Sequence, residues 1–339
     1  MKFPLLFALL ASPAALCAAD ASQTIIDRAQ QATPPSATPP VAPGIAVSPG
    51  DADAGNQRIA EKRTSPVKIS VSYDTQFYYT DNVTLVAPGS VKENAFIWAQ
   101  TVSVRGEFNS IALGEGMLTP SVGLVYQRFY HGIGEDHDVS PLDFSSLDFD
   151  SYSLPLGLRY RFGANWEANL GVTTNAVYGN DPSTNYHQIL RSHTPAISLR
   201  KMIGLSDTQI LSLGTSVSYS VTTADVSEGA FRDDRNDKTD YAVDAAYYYL
   251  MGKWTLGPTA RVSYSDYLHW QESALATSGV NRREISASFG LSLSYALRPW
   301  ASARLYSSYD FRKPQGNDEV DYSYTSKTLG LGLSLSAEF

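Results

Sequence analysis

The strongest constraint in this chain is a period of two. From Val67 to Phe339 apolar residues alternate with small or polar ones, the spacing of a sheet whose two faces meet different surroundings. In the last stretch Leu329, Leu331, Leu333, Leu335, Ala337 and Phe339 point one way, while Thr328, Gly330, Gly332, Ser334, Ser336 and Glu338 point the other. Leu211, Leu213, Thr215, Val217, Tyr219 and Val221 repeat the pattern against intervening serines and Gly214. So do Ile285, Ala287, Phe289, Leu291, Leu293 and Tyr295. One face is oily and the other wet. Beyond the first 21 residues, no apolar run approaches the ~20 residues that a membrane helix requires.

About twelve such segments can be counted, near residues 67–80, 94–108, 117–130, 148–162, 166–178, 189–202, 208–223, 239–251, 254–268, 282–297, 300–312 and 323–339. The links between them alternate in length. Those after the fourth, sixth, eighth and tenth segments are short: Gly163-Ala164-Asn165, Ile203 to Asp207, Gly252-Lys253 and Arg298-Pro299. Those after odd-numbered segments are long and polar, including His131 to Leu147, Gly179 to Gln188, Ala224 to Lys238, His269 to Asn281 and Lys313 to Tyr322. The link Asn109 to Gly116 is longer than the other even-numbered ones. Short turns at one end and long loops at the other predict an all-β, antiparallel, up-and-down transmembrane β-barrel of about 12 strands, its short turns in the periplasm. A soluble sandwich also alternates, but its strands usually run about 5–6 residues, far shorter than these.

Aromatic placement agrees. Trp166, Trp254 and Trp300 follow short turns, while Phe77, Tyr79, Phe96, Trp98, Tyr152, Tyr178, Tyr264, Tyr309 and Phe311 lie near long-loop ends. Amphipathic rings favour the headgroup level, so these read as two girdles that include Trp98, Trp166, Trp254 and Trp300.

Residues 1–21 read as a signal peptide: Lys2 precedes the apolar run Phe3 to Leu16, and cleavage is expected after Ala19 or Ala21. A lipoprotein signal would want a small residue before Cys17, where Leu16 stands. Residues 22–66 centre on Thr33-Pro34-Pro35-Ser36-Ala37-Thr38-Pro39-Pro40, and prolines at this density, with few apolar residues, predict a disordered periplasmic spacer or docking strip. The barrel then occupies 67–339. With one cysteine in 339 residues, a disulfide scaffold is excluded, and a net charge of −8 without a basic tract argues against a nucleic-acid partner.

The final strand, with Leu331, Leu333 and Leu335 at alternate positions before the terminal Phe339, resembles the assembly signal of Gram-negative outer-membrane β-barrel proteins. It departs from that signal at Ala337, where an aromatic is frequent. The opening Tyr73-Asp74 to Asn82-Val83 is similar, more loosely, to the first hairpin of uncharacterised barrels. The resemblance implies an outer-membrane location, with membrane lipid, lipopolysaccharide and the barrel-assembly machinery as partners; it implies no single activity, and the oligomeric state stays open.

Parity places Arg105, Glu107, Arg159, Arg161, Glu167, Arg200, Asp244, Arg261, Glu284, Arg304, Asp310 and Glu338 inside. Of these, Arg105, Glu107, Arg159, Arg161, Glu167, Arg200, Arg304 and Glu338 lie towards the short turns, where a charged constriction could select solutes by sign and size. The alternative is a self-neutralising salt-bridge ladder that fills the lumen. Small inward residues tilt the reading towards a porin-like passage for small hydrophilic solutes; a closed structural or accessory barrel of a surface-polymer or secretion system is the other reading.

Catalytic, cofactor and metal sites are not expected. The long loops carry carboxylates, Glu135, Asp136, Asp138, Asp143, Asp148 and Asp150 in one and Asp225, Glu228, Asp233, Asp234 and Asp237 in another, without calcium-loop spacing. None of the histidines, at 131, 137, 187, 193 and 269, stands in the His-x-Ser-Asn context of the membrane phospholipase and lipid A deacylase families. Asp136, His137 and Asp138 are adjacent and point apart, out of acid/base reach of one another.

Overall fold

In a computed structural model the fold is described for residues 25–26, 28–29, 66–85, 92–133, 144–181, 185–224, 232–270, 282–315 and 323–339. The signal peptide, nearly all of the Pro-rich segment, and the loop residues Glu135, Asp136, His137, Asp138, Asp143, Asp225 and Glu228 lie outside them. Twelve long antiparallel strands form one ring. In chain order they are β1 (Val67–Thr80), β2 (Ala95–Phe108), β4 (Gly116–His131), β5 (Phe149–Phe162), β6 (Trp166–Asp181), β7 (Asn185–Ser206), β8 (Gln209–Ala224), β9 (Lys238–Met251), β10 (Trp254–Tyr267), β11 (Arg283–Arg298), β12 (Ala301–Pro314) and β13 (Tyr324–Glu338). A three-residue strand, β3 (Ile111–Leu113), pairs only with the start of β4. It accounts for the overlong second link, which folds into a small hairpin turning at Gly114 (φ 56°).

Closure is complete. β1 pairs with β13 from Ser70↔Glu338 to Thr80↔Thr328, and β2 pairs with β4 from Ile97↔His131 to Glu107↔Ser121. Beyond the last ladder pair, Phe339 N–H donates to Ile69 O at 2.9 Å and Ile69 N–H to Phe339 O at 3.2 Å. No long strand is left with an unpaired edge, the one sheet arrangement that satisfies backbone donors and acceptors without water.

Opposed residues share a face, so the register fixes the direction of every side chain. Val71, Val104 and Leu124 align across three strands and face out; Phe77, Trp98 and Tyr130 do the same nearer the long loops. Leu331 is 61 % exposed and Val243 63 %. On the opposite face Ser72 meets Ser103 through their hydroxyls at 2.6 Å, and Ser216, Ser288, Gly290, Gly330 and Gly332 stand on the same parity.

Two links differ from the sequence expectation. β7 runs through Ser206 and β8 begins at Gln209, so Ile203 to Ser206 is strand and the turn is only two residues. The stretch expected as a loop from Gly179 to Gln188 is instead a hairpin extension, with Tyr178↔Gln188, Gly179↔His187 and Asn180↔Tyr186 in register. The cause is a bulge that leaves Ile189 unpaired between Leu190 and Gln188. It turns both Ile189 and Leu190 inward, each 1 % exposed, while Tyr178 and Tyr186 stack outside with centroids 6.1 Å apart.

Candidate functional site

The outer surface carries an aliphatic band between two rims of aromatic side chains. Trp98 donates to Thr75 Oγ1 at 2.8 Å and stacks on Tyr130 at one rim; Trp166, with Lys201 over its ring at 4.8 Å, and Trp254, packed on Tyr295, mark the other. Trp300 lies in the turn just before β12, exposed at the same rim. Such a belt on a sheet closed through its own hydrogen bonds is matched to hydrocarbon, not to water. The chain is a transmembrane β-barrel. Among the described residues no helix is long and apolar enough to cross a membrane.

No family model and no curated protein matches the chain. Among solved structures it is similar to the COG4313 outer membrane channel from Pseudomonas putida F1, with 14 % identity and a TM-score of 0.47, over 84 % of this chain and 100 % of that one. The transport unit of the autotransporter AIDA-I from Escherichia coli gives 9 % and 0.42, over 81 % and 92 %, and the NanC porin 10 % and 0.38, over 78 % and 98 %. The likeness is one of fold.

All eight charges assigned from sequence to a constriction stand on the inward parity of the barrel. Glu107 is gripped by Arg159 at 2.9 Å and by Arg105 at 3.3 Å; Arg161 meets Glu167 at 3.0 Å, and Glu338 meets Lys68 at 2.9 Å. Lys68, Glu107, Arg159 and Arg161 line a cavity of about 420 Å³ at the short-turn mouth, with Phe108, Met117 and Thr119 beside them. Deeper in, Arg200 lies 3.6 Å from Asp244, and Arg304 lies 3.6 Å from Asp74. Asp74 obeys the same parity as the charges named from sequence, and so do Lys68 and Arg312.

The direction of these pairs matters more than their number. Lys68–Glu338 and Arg161–Glu167 join neighbouring strands; Arg159–Glu107, Arg200–Asp244 and Arg304–Asp74 each reach across a single intervening strand. Two of those crossings pass over glycine. Gly214 stands in register between Arg200 and Asp244, and a Cβ there would meet the Asp244 carboxylate at 2.6 Å; one on Gly332 would meet Arg304 Nη2 at 3.3 Å. The ion pairs among the described residues therefore lie along the wall and leave the axis unbridged.

At the long-loop mouth the inner face changes character. On the β10–β12 side, Arg282 is fully buried, with Nη2 2.9 Å from Glu284 and its guanidinium over Tyr267 and Trp270 at 4.3 and 4.2 Å. Arg312 approaches the same carboxylate at 3.7 Å, and Tyr267 donates to it at 3.3 Å. On the β2–β8 side lies an apolar collar that includes Ile97, Phe129, Phe149, Val177 and Leu190. Against it sit Ile25 and Ile26, helical together with Arg28 and Ala29. The Pro-rich segment thus contributes, within 22–66, four residues that are helical and lodged inside the barrel. Sequence reasoning missed them; the one available signal is that Ile25-Ile26 is the only pair of adjacent large aliphatics in that segment, set where prolines are absent.

The described carboxylates of the acidic stretches, Asp148, Asp150, Asp234 and Asp237, are hydrogen-bonded. Asp150 is not in a loop: it faces out from β5, buried, taking hydrogen bonds from Tyr126, Tyr186 and Arg128. Asp148 accepts from the His131 backbone N–H at 2.7 Å. Asp234, Asp237 and His269 bring ligand atoms within 4.8 Å of one another. Both carboxylates are already committed, however: Arg232 forks onto Asp234 at 2.7 and 2.8 Å, holding its carboxyl below the usual carboxylate range, and Asp237 takes the Thr222 N–H and hydroxyl. His193 faces out, hydrogen-bonded to Thr174 at 3.0 Å.

Two stability measurements follow from this anatomy. Leu331→Arg, at the middle of the outer face, should cost about 2–4 kcal/mol in reversible refolding into phospholipid vesicles, whereas the inward Ser288→Asn should change little. Glu284→Gln should cost about 1.5–3 kcal/mol, read from the denaturant midpoint, because Arg282 and Tyr267 lose a charged acceptor at a buried site.

Proposed function

We propose that the protein is a passive, non-enzymatic channel of the outer membrane for small hydrophilic solutes, with its short-turn end in the periplasm. The observation that carries this reading is the direction of the lumenal ion pairs. Bridges between opposite walls would close the bore, whereas pairs lying along the wall between strands one or two apart leave water room over a lining of serine, threonine and glycine. Arg105, Glu107, Arg159 and Arg161 then form the charged constriction at the periplasmic mouth, with Arg the commoner sign among them. Membrane lipid and lipopolysaccharide surround the outer face, where Arg128 and Lys327 stand at the long-loop rim, and the assembly machinery would read the strand ending in Phe339.

A second reading, a structural or accessory barrel without an open pore, draws on the helical residues lodged in the long-loop mouth.

Planar bilayers separate the two. Purified full-length protein should give discrete conductance steps, either as isolated or after Ile25→Asp/Ile26→Asp. Arg159→Ser/Arg161→Ser should shift the permeability ratio severalfold towards cations at unchanged barrel stability. Bilayers that stay sealed with both the isolated protein and the Asp variant exclude the channel.

A further inference from the structure

The collar at the long-loop mouth is out of keeping with the rest of the inner wall. Ile97, Phe129, Phe149, Val177, Leu190 and Ala224 hold the inward parity of β2, β4, β5, β6, β7 and β8, one residue from each of six neighbouring strands. A water-filled bore gives such a half-ring nothing to pack against, and apolar surface facing water is unfavourable. This half-ring does not face water. Ile25 and Ile26 cover it, each 1 % exposed, and Phe144 and Leu147 from the β4–β5 link are buried in the same cluster. The fit is close: a Cβ on Gly179 would lie 3.3 Å from Ile25 Cδ1.

A second attachment is polar. Arg28 donates from Nε to Val83 O at 2.5 Å and from Nη2 to Asn82 O at 2.7 Å, two carbonyls of the link after β1. That link is itself fixed to β13, since Asn82 Nδ2 donates to Thr325 O at 3.0 Å and Lys92 Nζ to Thr325 Oγ1 at 2.8 Å. The segment is therefore held twice, by the apolar collar and by the link after β1, whose Val83 belongs to the same apolar cluster.

We propose that the segment carrying Ile25, Ile26, Arg28 and Ala29 is an intrinsic plug of the long-loop mouth, and that conduction is controlled by its release. The occupant of the collar is thus this chain's own segment, not a solute. The proposal rests on the channel reading, and it adds a resting closed state held by two isoleucine side chains and one guanidinium. All three contacts are noncovalent and local to the mouth, so the plug can leave without any change in the strand ladder.

The test uses the full chain with Cys17→Ser and a cysteine pair, Ile25→Cys with Gly179→Cys, in planar bilayers. A short, reducible bis-methanethiosulfonate linker should join the pair in the inserted protein, since it is the tip of Ile25, Cδ1, that lies beside Gly179. Reduction should then raise the time-averaged conductance severalfold, and Ile25→Asp/Ile26→Asp should show the raised level without reduction, with Arg28→Ala in between. Failure to cross-link in the inserted, heat-modifiable barrel overturns the seating. A cross-linked protein that conducts equally before and after reduction overturns the control of conduction while leaving the channel standing. If the pair cross-links but the reduced protein and the Asp variant are both sealed, the channel reading falls, and the gate with it.

Discussion

Everything in this structure depends on the backbone finding its hydrogen-bond partners without help from solvent. A strand in hydrocarbon has no water to fall back on, so the sheet must close, and it closes by pairing its first strand with its last: Ser70 with Glu338, Thr80 with Thr328. Once the ring is closed, the alternation of side chains has a single meaning. Odd-numbered residues of β1 go to lipid and even-numbered ones to the bore, and the register passes that choice to each neighbour in turn. A slip of one residue would exchange Leu331 and Leu333 for Gly330 and Gly332 on the lipid face.

The same closure decides how charge is managed inside. Carboxylates and guanidinium groups on neighbouring walls are near enough to neutralise one another, as Arg159 and Glu107 do at 2.9 Å at the short-turn mouth. At the opposite mouth the chain uses a different device: one side is a guanidinium and aromatic cluster around Glu284, and the other is an apolar collar covered by Ile25 and Ile26. The two mouths thus differ in chemistry although the strands that form them are continuous.

Much of this was legible in the sequence. Period-two alternation located all twelve long strands, and parity alone sent Arg105, Arg200, Asp244 and Arg304 inward, because a strand's side-chain direction is a local property. What was not legible came from contacts between residues far apart in the chain. The hairpin extension at 178–188 hinges on the unpaired Ile189, which no count of alternation marks, since a bulge reverses the parity beyond it. Arg200 and Asp244 are 44 positions apart, and their meeting depends on the register of the strand between them. The seat of Ile25 and Ile26 was hidden for another reason: inward apolar residues such as Phe129 and Phe149 obey parity but break the rule that the bore is wet, and only the presence of a covering segment makes sense of them.

Gly214 and Gly332 give the barrel a property that no side chain could. Each supplies a shallow bed in which a neighbour's charged group reclines against the backbone, close to the wall. A single methyl group at either place would lift a carboxylate or guanidinium towards the axis.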